Sequence, residues 1–171
     1  MEDIRLACGI SRGGLYHHFA NRRAILDAIV ADEIAELAGI LDETDASPLP
    51  LMLRAGASHL GNSPGVLAGL RSAEERQDYL SGLEQAITKV LSPVLRERLA
   101  PFVRPGVDPD HVAELFLTIN THINRHVILG NWTEAKAAGF AATALGVLTS
   151  LLHDPFELDP VIADLKKRST P

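Results

Sequence analysis

The sequence predicts an all-α protein, with a partial helix-turn-helix head followed by a longer helical body. Of the 171 residues, 46% are hydrophobic and only 5% are aromatic, and β-branched residues do not alternate with polar ones over the length of a strand. Apolar residues instead recur at intervals of three and four, as on one face of a helix. Glycine, asparagine and proline separate these stretches, as is typical of helix ends.

The head is predicted as two short helices joined by a tight turn within residues 4–22. Gly9 stands where the first helix ends, because glycine adopts the left-handed conformation without a Cβ clash. Ser11 stands where the next helix needs an oxygen for its free N–H groups. The inward positions are Ile4, Ile10, Leu15 and Phe19, and the outward polar ones are Arg12, Tyr16, His17 and Arg22. Cys8 occupies a small-residue position in the turn, so we expect a buried thiol.

The remaining elements follow from breakers and periodicity. Asn21 can cap a long helix that runs to about Glu43 and connects the head to the body. The next predicted elements are a turn at 45–50, helices over 51–60 and 66–70 with a possible hinge at 63–65 between them, a helix over 74–99 bent at Pro93, and a loop over 101–109. Two last helices are predicted over 110–129 and 133–152, before a tail containing Pro155 and Pro160. We divide the chain into a head, residues 1–27, and a body, residues 28–171.

Charge is distributed unevenly along the chain. Residues 1–23 carry a net charge of +2 and the rest carry −8, which together give the −6 of the whole chain. A basic head on an acidic body is typical of a protein that reads DNA with a small module. No run of eighteen apolar residues and no basic-then-apolar leader is present, so we expect a cytoplasmic protein with no membrane partner.

Enzymatic and metal-binding functions are not predicted. The glycines at 9, 13 and 14 lie between helices with no preceding strand, unlike a phosphate-binding loop, and there is no G-x-S-x-G motif. His122 and His126 are four residues apart, a spacing that can place two imidazoles on one metal ion. Ile123-Asn124-Arg125 between them supplies no acidic residue. We therefore predict no catalytic residue, no cofactor and no metal.

The head resembles the second and third helices of the tetracycline-repressor (TetR) type of bacterial regulators. Their pattern is I-A-x-x-A-G-V-S-x-G-x-L-Y-x-H-F-x-x-K. The matching positions are Ile4, Gly9, Ile10, Ser11, Gly13, Leu15, Tyr16, His18, Phe19 and, conservatively, Arg22. Arg5 and Cys8 replace two alanines of the pattern, and its first helix has no counterpart in the sequence. The resemblance implies a DNA-binding transcriptional regulator, in most cases a repressor released by a small molecule.

That resemblance also implies roles for individual residues. Ser11 would cap the recognition helix and bind a phosphate, Arg12, Gly14 and His17 would face base edges, and Tyr16 and Arg22 would bind phosphates. Family members are homodimers joined through their last two helices, as a palindromic operator requires. The residues expected at this interface are Ile119, Ile123, Leu145, Leu148, Leu151 and Leu152. From periodicity alone, these residues could equally face the core of their own chain.

The resemblance further implies an unknown small-molecule effector within the body. Its candidate contacts are His59, Tyr79, His122 and His126, although an isolated histidine on an apolar helix face is also common in a core. The alternative function is a DNA-independent helical dimer that binds a small molecule and has a vestigial or truncated head. Because the first helix of the pattern covers the other two, we expect the reading frame to extend upstream by an amphipathic helix, and duplex DNA to be a partner if that helix is present.

Overall fold

The computed structural model describes residues 1–43, 48–50, 52, 69–70, 72–153 and 158–169. We number its helices α1–α8 in chain order. The helices are α1 (Glu2–Cys8), α2 (Arg12–His18), α3 (Arg22–Glu43), α4 (Ala73–Ala86), α5 (Ser92–Leu99), α6 (Pro109–Ile128), α7 (Glu134–Leu148) and α8 (Asp159–Arg168). The predicted all-α class is confirmed, since the extended pairing among the described residues is an isolated bridge between Val103 and Leu152. Most of the helices expected over 51–60 and 66–70, and all of the hinge at 63–65, lie outside the described residues. Residues 48–50 are helical, which corrects the second half of the turn expected at 45–50.

Side-chain caps begin α3, at Asn21 as the sequence predicts, and three further helices. Asn21 Oδ1 accepts a hydrogen bond from the Ala24 amide at 2.9 Å, at the start of α3. Ser72, Asp108 and Thr133 cap α4, α6 and α7 in the same way. Each such cap is worth about 1 kcal/mol because it satisfies an amide that the helix itself leaves unpaired.

Near Pro93 the helix contains a π-turn. Residues Ile87–Leu91 form this turn between α4 and α5, and the Ser92 amide donates to the carbonyl oxygen of Ile87, five residues earlier. Proline has no N–H to donate and its ring crowds the preceding turn, so a wider turn at this point relieves the strain. The predicted irregularity is therefore a change in helical pitch that begins six residues before Pro93.

The body is a series of helices that pack side by side. Helix α3 packs on the continuous α4–α5 segment, α5 packs on α6, α6 on α7, and α7 on α8. The core between them is formed mainly by leucines, with Tyr79 and Phe116 as its large aromatic members. Leu15 is also buried, at 3% exposure, but it lies in the head and not in this core.

The C-terminal segment differs from the expected tail because it contains α8. Pro160 lies in the first turn of this helix, where its missing N–H would have no partner in any case. Ile162 and Leu165 are buried with the preceding Leu158. The segment thus contributes to the core through its packing on α7.

Candidate functional site

The turn of the head is formed by the two residues that the sequence indicates. Gly9 ends α1 with φ of 65° and ψ of 22°, in the left-handed region that favours glycine. Its amide donates to the Leu6 carbonyl oxygen at 3.3 Å, and the Ile10 amide donates to that of Arg5 at 3.3 Å. Two residues later, Ser11 Oγ accepts from the Gly14 amide at 3.0 Å and begins α2. Two backbone hydrogen bonds and one side-chain cap therefore form the connection between α1 and α2.

Helix α2 buries one side and exposes the other. Leu15 is its buried residue, whereas Arg12, Gly14, Tyr16 and His17 are exposed. The Arg12 guanidinium lies 5.8 Å from the centre of the Tyr16 ring, close enough for a cation–π contact. This surface therefore presents a cation, a phenol and an imidazole side by side, with hydrogen-bond donors suited to phosphates and base edges.

The start of α2 is crowded around residue 14. A Cβ at Gly14 would lie 3.2 Å from Ser11 Oγ, tighter than most Cβ contacts. Glycine at this position leaves room for the capping hydroxyl, at the cost of the helix propensity that alanine would bring. The exposed Ser11 oxygen and Gly14 backbone thus lie together at the N-terminal end of α2. In a helix-turn-helix this is the end that enters the major groove of DNA.

An ion pair between Arg5 and Glu2 lies on α1, next to the turn. Arg5 donates to Glu2 Oε1 at 2.9 and 2.7 Å, and one of its nitrogens lies 3.4 Å from the Ile10 carbonyl oxygen. These hydrogen bonds lower the pKa of Glu2 and raise that of Arg5. Arg5, which departs from the family pattern, therefore links the two ends of the turn in this chain.

Arg22 lies against the body. Its Nη2 donates to the Gly69 carbonyl oxygen at 2.5 Å, and its Nε lies 3.2 Å from Glu75 Oε1. Beside it, Arg23 Nη1 lies 2.7 Å from Asp78 Oδ1. The two arginines connect the first turn of α3 to α4, so Arg22 is separated from the outward surface of α2.

Cys8 is exposed, which corrects the expectation of a buried thiol. Cys8 is the last residue of α1, and the turn residues Gly9 and Ile10 that follow it are exposed too. Leu6 is also accessible, at 63% exposure, and Ile10, at 39%, does not take the inward position expected of it.

The comparisons with known proteins bear on this head. The family model of bacterial regulatory proteins of the tetR family matches residues 1–29, which are α1, the turn, α2 and the start of α3. The chain carries a TetR-family head. The recognition made from the ten motif positions is confirmed by this match. Comparison with curated proteins and with solved structures found no match.

The match covers residues 1–29 and supports a DNA-binding helix-turn-helix of the tetR type in this segment. Within the described ranges, no helix is both long and apolar enough to cross a bilayer. Over the same residues, no group of three or more histidine, cysteine, aspartate or glutamate side chains could hold a metal ion.

Of the four candidate effector contacts, His122 and His126 lie together, with ring centres 4.6 Å apart. Tyr79 is 1% exposed in the core, and His59 lies outside the described residues. His126 stacks on Trp132, with ring centres 4.5 Å apart and ring planes 8° from parallel, and its Nδ1 is buried without a hydrogen-bond partner. His122 is exposed and lines a groove between the π-turn, α5 and α6.

The residues expected at a dimer interface lie mostly in the core of their own chain. Leu145, Leu148 and Leu152 are 1%, 0% and 2% exposed, and Ile123 is 7% exposed. Ile119 and Leu151 are partly buried and pack against the same core. Of the two orientations that periodicity allowed, the structure has the leucines facing inward, so Leu148 has no surface to offer a second chain.

Sequence reasoning missed the residues that surround His122. Trp132 and Phe140 lie 5.3 and 5.5 Å from its ring, between the end of α6 and the middle of α7. Arg96 lines the same groove from α5. The signal available was weak, because Arg96 and His122 are 26 positions apart and lie on separate helices.

Proposed function

We propose that this protein is a transcriptional repressor that binds a palindromic duplex through α2 as a homodimer and is released by a small molecule. The observation that carries the proposal is the exposed surface of α2, where Arg12, Tyr16 and His17 stand beside the Ser11 cap. Ser11, Arg12, Gly14, Tyr16 and His17 are the proposed DNA contacts. Arg22 is not among them, because its guanidinium is held by Gly69 and Glu75.

The proposed dimer uses the outward sides of α6 and α7. Three large apolar side chains are exposed there: Leu115 at 41%, Phe140 at 40% and Val147 at 62%. Exposed apolar residues on neighbouring helices favour contact with another protein surface. Two-fold pairing would give each of two adjacent major grooves one copy of α2, as a palindromic site needs.

The proposal is tested by salt-dependent DNA binding of the full chain. Duplexes selected from a random library are measured by fluorescence anisotropy over a range of salt concentrations. We expect affinity to fall with salt, and Arg12→Ala to reduce the slope of log affinity against log salt by about 1, as for one lost phosphate contact. Lys167→Ala removes an exposed cation of α8 and should leave the slope unchanged.

Two results would contradict the proposal. Failure to select any duplex would favour the DNA-independent helical dimer. Binding that Arg12→Ala and His17→Ala both leave at the wild-type level would move the DNA contact away from α2.

A further inference from the structure

A groove of about 420 Å³ lies between the π-turn and α5 on one side and α6 on the other. Thr88, Ser92 and Arg96 line the first side, and Thr118, His122 and Arg125 line the second. Ile87 and Leu117 add an apolar portion to the lining. The groove therefore combines basic, hydroxyl and apolar groups in a volume suited to a small molecule.

Arg96 is the available cation of this groove. Arg125 is already paired, with Nη2 2.5 Å from Glu84 Oε1. Arg96 is exposed and, among the residues that the structure describes, forms no ion pair with a carboxylate. A guanidinium presents a planar set of N–H donors that matches the two oxygens of a carboxylate.

The other polar groups favour a ligand with a single negative charge. The Thr118 hydroxyl can donate to an anion, whereas the Thr88 hydroxyl donates to the Glu84 carbonyl oxygen at 2.8 Å and is left to accept from a ligand. Glu114 also lines the groove, and its carboxylate opposes a second negative charge. A polyphosphate would be repelled at this position, whereas one carboxylate with an apolar remainder would pair with Arg96 and contact Ile87 and Leu117.

We propose that this groove binds a small organic monocarboxylate, paired with Arg96 and packed against Ile87 and Leu117. The proposal rests on the proposed function in that it supplies the chemical class of the effector. Binding in the groove can be followed by tryptophan fluorescence. Trp132 is the chain's single tryptophan, and its ring centre lies 5.3 Å from that of His122, which lines the groove.

The test uses benzoate and octanoate as anions and benzamide as the uncharged match of benzoate. Binding to the full chain is followed by Trp132 fluorescence and by calorimetry. We expect at least one anion to bind saturably and benzamide not to bind over the same concentrations. Arg96→Gln should raise the dissociation constant about tenfold, because a charged hydrogen bond is lost.

Two further variants sharpen the test. Glu114→Gln removes the opposing carboxylate and should lower the dissociation constant by about two- to threefold, since the charge is exposed. Lys167→Gln makes the same charge change as Arg96→Gln on α8 and should leave the dissociation constant unchanged. Circular dichroism confirms that each variant is folded.

The proposal is overturned if neither anion binds, if benzamide binds as tightly as benzoate, or if Arg96→Gln and Lys167→Gln have equal effects. These results are independent of DNA. Failure of the regulator proposal would instead be seen as the absence of a selected duplex, with anion binding intact.

Discussion

At the scale of single residues, burial decides which polar side chains take part in binding. Tyr79 is 1% exposed and belongs to the core, whereas Tyr16 is 45% exposed on α2. The two tyrosines of the chain therefore have separate roles, the first in stability and the second on the proposed DNA surface.

The buried phenol of Tyr79 should lower the free energy of unfolding at alkaline pH. Burial, together with the charge of Glu33, raises the pKa of its phenol well above the ordinary value. Since the folded state holds this proton more tightly than the unfolded chain, the contribution is fully present below pH of about 10 and is lost as the pH rises further. Urea unfolding between pH 8 and 11 should show a smaller alkaline decline of the unfolding free energy in Tyr79→Phe than in wild type.

Tyr16→Phe is the matched control for this measurement. It removes a hydroxyl from an exposed ring and should keep the wild-type alkaline decline, because Tyr79 is intact. An identical decline in Tyr79→Phe and wild type would show that other groups cause it.

At the scale of helices, the first turn of α3 is fixed to α4 by two arginines. Arg22 reaches Gly69 and Glu75, and Arg23 reaches Asp78. Helix α3 begins in the head at Arg22 and continues into the body. These contacts therefore connect the part of α3 that belongs to the head with the body.

Arg22→Gln should reduce stability without weakening DNA binding. Its hydrogen bond and ion pair are half-buried, at 29% side-chain exposure for both Arg22 and Glu75, so we expect a loss of about 1 kcal/mol. Arg12→Gln should have the opposite profile, with unchanged stability and a reduced salt slope. Urea unfolding and anisotropy on both variants give the comparison, and a reduced slope in Arg22→Gln would restore Arg22 as a phosphate contact.

Local signals predicted most helices, and long-range contacts account for what was missed. Gly9, Ser11 and Asn21 act within four residues of themselves, so their effect can be derived from the sequence. Helix α8 was missed because proline marks a break in most contexts, whereas Pro160 lies in a first turn. The contacts of Arg22 with Gly69 and Glu75 depend on how α3 packs on α4, which no local pattern specifies.

The same limit applied to the candidate site. The capped and exposed side of α2 followed from the motif, but the grouping of Arg96, Thr118 and His122 depends on the packing of α5 on α6. The leucine pattern of α7 was compatible with both a core and an interface. Only the buried position of Leu148 distinguishes the two.

At the scale of the whole molecule, substitutions at two neighbouring residues of α7 distinguish effects on folding from effects on dimer formation. Val147 is 62% exposed and Leu148 is fully buried. Val147→Arg should keep the fold and give a monomer, because the charge would lie in the proposed interface. Leu148→Arg should lose the fold, because an unpaired guanidinium would enter the core.

Light scattering and circular dichroism on the two variants decide this prediction. A wild-type protein that is monomeric would contradict the dimer proposal itself. A Val147→Arg variant that stays dimeric would place the interface on another surface.

The exposed thiol at the end of α1 makes the head accessible to site-specific labelling. Cys8 is the single cysteine of the sequence, so a nitroxide reagent would attach there without any engineered substitution. In a two-fold dimer the two labels form one spin pair, and their separation reports the spacing of the two copies of α2. Pulsed electron paramagnetic resonance with and without benzoate would then measure, in ångströms, how far binding of benzoate to the groove in the body displaces the two heads.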